Sequence, residues 1–239
     1  MTTLTAVPDR SASPPDSPTG GLTPKAEQTR TQILRAALDL FRESGYDGTT
    51  MRGVARAADV SLGNAYYYFA SKEHLVQGFY DQIQVDHAAA AESALAAETG
   101  FSGRLLAVLD SWVDVAAPYH EFAGAFFKNA AEPRSPLSPF SGESAAAREA
   151  SIALHRRAVE GSDVKVAAAL RAQLPELLWL LQMGVVLFWV HDDSPEQRRT
   201  HDLVRQIVPL VDRLIRLTRL PGARGLAEDV VALVAKVRG

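Results

Sequence analysis

A short run, Ser61-Leu62-Gly63-Asn64-Ala65-Tyr66-Tyr67, gathers the side chains whose chemistry is most specific in this chain. Asn64 has a paired donor and acceptor that can read an adenine edge or bond a phosphate. Tyr66 and Tyr67 carry hydroxyls on rigid arms, suited to phosphate oxygens, and the Tyr67 ring can also meet thymine methyls. Gly63 has no side chain to hold a duplex away from the backbone. Thr50 and Ser61 stand where helices begin, and hydroxyls and free amides there attract phosphate. Lys72 opens the next helix and brings a charge that can neutralise a backbone phosphate.

Those residues need two short helices and a tight turn to hold them. Met51, Val54, Ala55 and Ala58 recur at three- and four-residue spacing, which predicts one buried stripe on a short helix capped by Thr49-Thr50. Asp59-Val60-Ser61 breaks it: aspartate tolerates the left-handed turn, and Ser61 caps a second helix over 62–69. Ala65 and Phe69 face inward on that helix, so Phe69 is read as core. Ser71 is expected to cap a third, longer helix. Two short helices about a tight turn form the geometry that lays the second helix in a DNA major groove.

Residues 28–80 resemble the DNA-binding domain of TetR-family transcriptional repressors. The matching elements are Thr31-Gln32-Ile33-Leu34-Arg35-Ala36-Ala37, Leu40-Phe41, Gly45-Tyr46, Thr49-Thr50, Val54-Ala55, Val60-Ser61, Gly63, Tyr66, Phe69, Lys72-Glu73 and Leu75. Asp59 stands where the family usually has glycine, Leu62 where a polar or basic residue is common, and Tyr68 where histidine is frequent. The resemblance implies DNA contacts from Thr50, Ser61, Leu62, Gly63, Asn64, Tyr66, Tyr67 and Lys72. It also implies repression as the mode of action and a long helix that carries ligand binding to the DNA heads.

The expected fold is all-α: an N-terminal three-helix helix-turn-helix DNA-binding domain over 24–71 and a C-terminal helical ligand-binding and dimerisation domain over 72–239. Residues 1–23, rich in Pro, Ser and Thr, read as a disordered tail. Thr23-Pro24 starts a first helix that Gly45 ends, with Ile33, Ala37, Leu40 and Phe41 as its core stripe. Further helices are expected over 71–97, 101–117, 143–159, 163–173, 177–190, 200–220 and 226–237, with a Pro- and Ser-rich loop over 132–144 at the mouth of a pocket.

Large rings crowd two neighbouring helices: Trp112, Tyr119, Phe122, Phe126 and Phe127. Such stripes often form core, yet apolar pockets between bundle helices have the same make-up. Trp179 and Met183 join them as candidate ligand contacts. Asp110, Asp114 and Glu121 nearby suggest a cationic ligand. Residues 177–190 are apolar nearly all round, so this helix must be covered on every side. With Leu203, Ile207, Leu210, Val211 and Leu214 on a later helix, Leu181, Gly184, Val185 and Phe188 resemble the family's two-helix dimer interface. The implied partners are a second copy of the chain, an inverted-repeat operator in double-stranded DNA and a small-molecule effector.

Composition narrows the alternatives. The chain has 239 residues, 47% hydrophobic and 22% charged, with no cysteine and a net charge of -3. Thiolate metal sites and disulfides are excluded, and no cofactor is expected. Within 25–80 the cations Lys25, Arg30, Arg35, Arg42, Arg52, Arg56 and Lys72 nearly balance the acids, so DNA would be held by a local surface and neutral donors. No GxGxxG, Walker, GxSxG or HExxH pattern is present, and Ser162 to Lys165 fits SxxK by spacing alone, so no enzyme is expected. The N-terminus has no apolar signal segment, and the apolar run at 174–190 falls short of a span; a cytoplasmic protein without membrane contact is the expectation. The rival reading is a helical small-molecule-binding protein that does not bind DNA specifically.

Overall fold

The computed structural model describes residues 23–219 apart from Pro133, together with Ala232. The tail expected over 1–23 and the closing helix expected over 226–237 lie outside the described residues, apart from Thr23 and Ala232. Helices account for every regular element among the described residues: α1 (Pro24–Gly48), α2 (Met51–Ala57), α3 (Leu62–Tyr68), α4 (Lys72–Ala97), α5 (Phe101–Ala116), α6 (His120–Ala130), α7 (Ala145–Glu160), α8 (Ala168–Val190) and α9 (Arg198–Leu217).

Local signals set the first three helices. The Thr23 hydroxyl accepts from the Ala26 amide, with Pro24 in the first turn. Gly45 takes φ 71°, a left-handed conformation that breaks the helical path after Ser44. The Thr50 hydroxyl caps α2 through the Gly53 amide at 3.1 Å, and Ser61 caps α3 through the Asn64 amide at 3.1 Å. Asp59 sits at φ 50° in the turn between them. Ser71 differs from expectation: its hydroxyl lies 2.9 Å from His74 Nδ1 and does not cap the α4 backbone.

One core joins α1–α3 to the first turns of α4: Ile33, Ala37, Phe41, Val54, Ala65, Phe69, Leu75 and Phe79 are buried together, and Phe122, Phe126 and Leu137 complete it. Gly78 marks the closest approach. A Cβ there would lie 2.9 Å from both Leu34 Cδ2 and Phe69 Cε1, so α4 lies against the head where only glycine fits without movement.

A second core lies between α5, α8 and α9, built from Leu105, Leu109, Val113, Leu178, Val185, Val204 and Val208. Polar ties lock its neighbours. Arg104 donates to the carbonyls of Leu95 and Glu98 at the end of α4 and to those of Arg157 and Ala158 at the end of α7. One guanidinium thereby adds donors at two helix C-termini, where the carbonyls of Leu95 and Arg157 also accept from the amides of Glu98 and Gly161. Asp192 accepts from the amides and hydroxyls of Ser194 and Thr200, at 2.6–3.0 Å, and holds the sharp turn from α8 to α9. Burial raises its pKa, but those four bonds prevail and hold the carboxyl down at about 2.

The expectation of separate helices at 163–173 and 177–190 is corrected. A single α8 runs from Ala168 to Val190 with Pro175 inside it. Proline removes one backbone donor, but Pro175 is buried beside Leu174 and Leu178 in the core face, where packing keeps the helix together. This 23-residue helix is long and apolar enough to span a bilayer by composition alone; here α7, α9 and α6 cover it in part.

Candidate nucleic-acid interface and ligand cavity

The head presents α3 outward. Ala65 and Phe69 face the core, while Tyr67 is 72% exposed and Tyr66 48%. The Tyr67 ring stands edge-on to Tyr68 at 5.1 Å, which restrains it before any partner arrives. Gly63 is exposed and a Cβ there would meet nothing, so no contact within the chain requires glycine at this position. Thr50, Ser61 and Gly63 are exposed; Leu62 and Asn64 are half-buried, with Leu62 against the head core.

Lys72 departs from its expected role. Its ammonium donates to the Tyr46 carbonyl at 2.6 Å and the Thr49 carbonyl at 3.3 Å, and stands 4.1 Å over the Tyr46 ring. It fastens the end of α1 to the start of α4, and its charge is engaged within the chain. Arg52 and Arg56, on α2, are exposed and have no ion pair among the described residues. They were visible in the sequence only as two charges in a nearly balanced segment; their position on the outer face of α2 depends on the fold.

A cavity of about 610 Å³ opens between α4, α5, α6, α7 and α8. Trp112, Tyr119, Phe126, Phe127 and Met183 line it as expected from their types. Phe122 and Trp179 do not. Phe122 is drawn into the head core, with the Arg42 guanidinium 5.9 Å above its ring. Trp179 is buried one layer back, edge-on at 5.4 Å to Phe140, which does line the cavity.

Other wall residues carry no sequence signal of their own. Tyr80, Ile83 and Gln84 come from α4, and Gln182 and Trp189 from α8. Burial pushes the Tyr80 hydroxyl up to about 12, so it stays protonated. The loop contributes Leu137, Ser138, Pro139 and Phe140. Arg148 on α7 fixes it by donating to the carbonyls of Pro139 at 2.7 Å and Ser141 at 3.1 Å.

The acids expected to attract a cation are elsewhere. Asp110 lies 2.6 Å from His201 Nδ1 and Asp114 3.6 Å from His201 Nε2, joining α5 to α9, while Glu121 is exposed. Among the described residues no carboxylate lines the cavity.

Outside the cavity, α8 and α9 leave apolar side chains uncovered. Leu180, Phe188, Leu210, Leu214 and Leu217 are 41–64% exposed. Gly184 is exposed too, and Leu181, Leu203, Ile207 and Val211 are half-buried. Val185 is corrected: at 2% exposure it belongs to the chain's own core and has no surface left for a second molecule.

Comparison with known proteins fits this geometry. Residues 33–78 match the family described as bacterial regulatory proteins, tetR family. Residues 104–233 match the tetracyclin repressor-like C-terminal domain. The HTH-type transcriptional regulator UidR of Escherichia coli K12 is 38% identical over 60 residues, 25% of this chain and 31% of that protein. The HTH-type transcriptional repressor KstR of Rhodococcus jostii is 46% identical over 50 residues, 21% and 24% of the two chains. The aligned segment therefore spans less than a third of these relatives.

Among solved structures, the TetR transcriptional regulator of Nitrosomonas europaea superposes with TM-score 0.61 at 18% identity, covering 76% of this chain and 96% of that one. FadR of Thermus thermophilus, a TetR-family repressor in complex with lauroyl-CoA, gives 0.56 at 21% identity, covering 81% and 99%. At these identities the likeness is one of fold: an N-terminal helix-turn-helix domain followed by a helical C-terminal domain.

Proposed function

Because the chain belongs to the TetR family of bacterial regulatory proteins, and is a DNA-binding transcriptional regulator, we propose that it is a repressor. It binds a palindromic operator as a two-fold dimer and is released by a small lipophilic or aromatic effector.

The observation that carries this reading is the double duty of α4. Phe79 packs in the core of the head, and the next residue, Tyr80, lines the cavity. A ligand that prefers one packing of α4 against the cavity therefore favours one placement of the head. Operator binding and effector binding are then linked, each weakening the other by the same factor.

In this reading 24–71 reads DNA and 72–239 binds the effector and the second copy. Gly63, Asn64, Tyr66 and Tyr67 enter the major groove, with Leu62 at the groove edge. Thr50, Ser61, Arg52 and Arg56 hold phosphates, and Lys72 supports the surface from behind. Trp112, Tyr119, Phe126, Phe127 and Met183 enclose the effector. Leu180, Leu181, Gly184 and Phe188 meet Leu203, Ile207, Leu210, Val211 and Leu214 across the two-fold axis, which would cover an apolar face otherwise left to water.

Selection from a pool of random duplexes tests the proposal. An enriched inverted repeat, with half-sites one helical turn or a multiple of it apart, is the expected result. Equal affinity for all duplexes would remove the operator claim.

A further inference from the structure

Three residues in the cavity wall carry buried polar atoms that have no hydrogen-bond partner among the described residues: Gln182 Nε2, Trp189 Nε1 and Gln84 Oε1. Gln182 is 1% exposed and Trp189 4%. The Gln182 amide is oriented by its other end. Oε1 accepts from His155 Nε2–H at 2.8 Å and from the Ser151 hydroxyl at 3.4 Å, which leaves Nε2 as a donor with no acceptor. Trp189 is fixed by its ring, edge-on to Trp112 at 5.3 Å and to His120 at 4.9 Å, so its N–H cannot turn toward another acceptor. The seven-residue interval puts both donors on one face of α8, about two turns apart. Gln84 Oε1 offers the complement, an acceptor on α4.

A buried donor without a partner is costly, and native proteins rarely keep one unless something else meets it. Two such donors and one unpartnered acceptor in the wall of one apolar cavity specify that something. Both α8 donors are neutral N–H groups. Among the described residues of the wall the one cationic side chain, Arg148, is tied to the loop carbonyls of Pro139 and Ser141, and none carries a carboxylate to balance a cation.

Resting on the reading of this cavity as the effector site, we propose that the effector is a neutral, mainly apolar molecule with two polar features. Carbonyl-type oxygens accept from Gln182 and Trp189, and a hydroxyl or amide hydrogen is donated to Gln84. Such a molecule bridges α8 to α4, so its polar end acts on the helix that carries the head.

Three ten-carbon probes separate the contacts: 9-oxodecanamide and decane-2,9-dione, which carry one carbonyl for each α8 donor, and decane, all titrated calorimetrically into the full-length protein. Gln182→Leu is expected to weaken 9-oxodecanamide and decane-2,9-dione about tenfold each and to leave decane unchanged. Trp189→Phe keeps the ring and removes only the N–H; it should do the same, and it covers the case in which Gln182→Leu does not fold. Gln84→Leu should weaken 9-oxodecanamide alone. Polar probes that bind the Gln182 and Trp189 variants as tightly as the parent overturn the assignment, and so does failure of all three probes to bind. Adding decane-2,9-dione to the DNA complex keeps the two readings apart. Side-chain-dependent binding that leaves DNA affinity unchanged would remove the effector role while the polar contacts stand.

Discussion

His155 Nε2 lies 2.8 Å from Gln182 Oε1, a bond between α7 and α8 made where neither side chain reaches solvent. Burial holds the His155 ring down at about 4, with the bond to Gln182 opposing the shift, so the ring is neutral in the fold. His87 is lowered for the same reason; its Nε2 is bonded to the Val108 carbonyl. Below the ordinary histidine pKa the unfolded chain takes up a proton that the folded chain refuses. Stability should therefore be full above about pH 6.5, fall toward about pH 4 and then level, by up to roughly 3 kcal/mol for His155. Urea unfolding at about pH 7.5 and about pH 4.5 measures this. His155→Leu should flatten most of the slope, and an unchanged midpoint in the parent would contradict the account.

Tyr67 and Asn64 lie on the outer face of α3, and Tyr67 touches little but Tyr68. Tyr67→Phe and Asn64→Ala should change stability by no more than about 0.5 kcal/mol. Together they should abolish retention of the selected operator, with the oligomeric state intact by analytical ultracentrifugation. Operator binding unaltered in the double variant would refute their place in the groove.

Arg52 and Arg56 differ from Lys72 in what they already hold. Each arginine replaced by alanine should weaken all duplexes alike and reduce the slope of log affinity against log salt by about one. Lys72→Met should instead lower the melting temperature, because the carbonyls of Tyr46 and Thr49 lose their donor. A Lys72 variant with unchanged melting but a shallower salt slope would restore it to the DNA surface.

Leu210 and Leu214 point away from the core, whereas Val185 points into it. Leu210→Arg with Leu214→Glu should yield folded monomers, seen as a halved mass with undiminished helical signal. Val185→Glu should unfold the chain, since it buries an unpaired charge. Folded dimers from the leucine pair would place the two-fold contact elsewhere.

Arg104 serves two helix ends at once, so its loss should be felt beyond one contact. Arg104→Ala removes one donor from each of four backbone carbonyls, of which those of Leu95 and Arg157 keep an amide, and is expected to destabilise by about 2–4 kcal/mol. The measurement is the shift in denaturant midpoint. A change under about 0.5 kcal/mol would show that water replaces the guanidinium without loss.

The head was legible because its instructions are local. Thr50 and Ser61 cap the helices they precede, Asp59 takes the left-handed turn, and the spacing of Met51, Val54, Ala55 and Ala58 names the buried face. The cavity was half legible. Aromatic type pointed to Trp112, Tyr119, Phe126 and Phe127, but could not separate them from Phe122, which the approach of α6 to α1 carries into the head core. Tyr80, Ile83 and Gln84 were hidden because a wall shared by α4 and α8 is a tertiary fact with no period in the sequence. Pro175 misled for a related reason: its local cost is plain in the chain, while the burial that offsets it is not.

The three tryptophans of the chain stand around one space. Trp112 and Trp189 line the cavity, and Trp179 packs on Phe140 in its wall. The head has no tryptophan among its residues, only tyrosines and phenylalanines. Light absorbed by indole is therefore emitted from beside the cavity and nowhere else, while the DNA-reading surface is dark at those wavelengths. The protein carries its own optical probe, placed away from the operator. A change in indole emission when DNA binds would be a signal that has travelled from the head into the cavity wall, read without any added label.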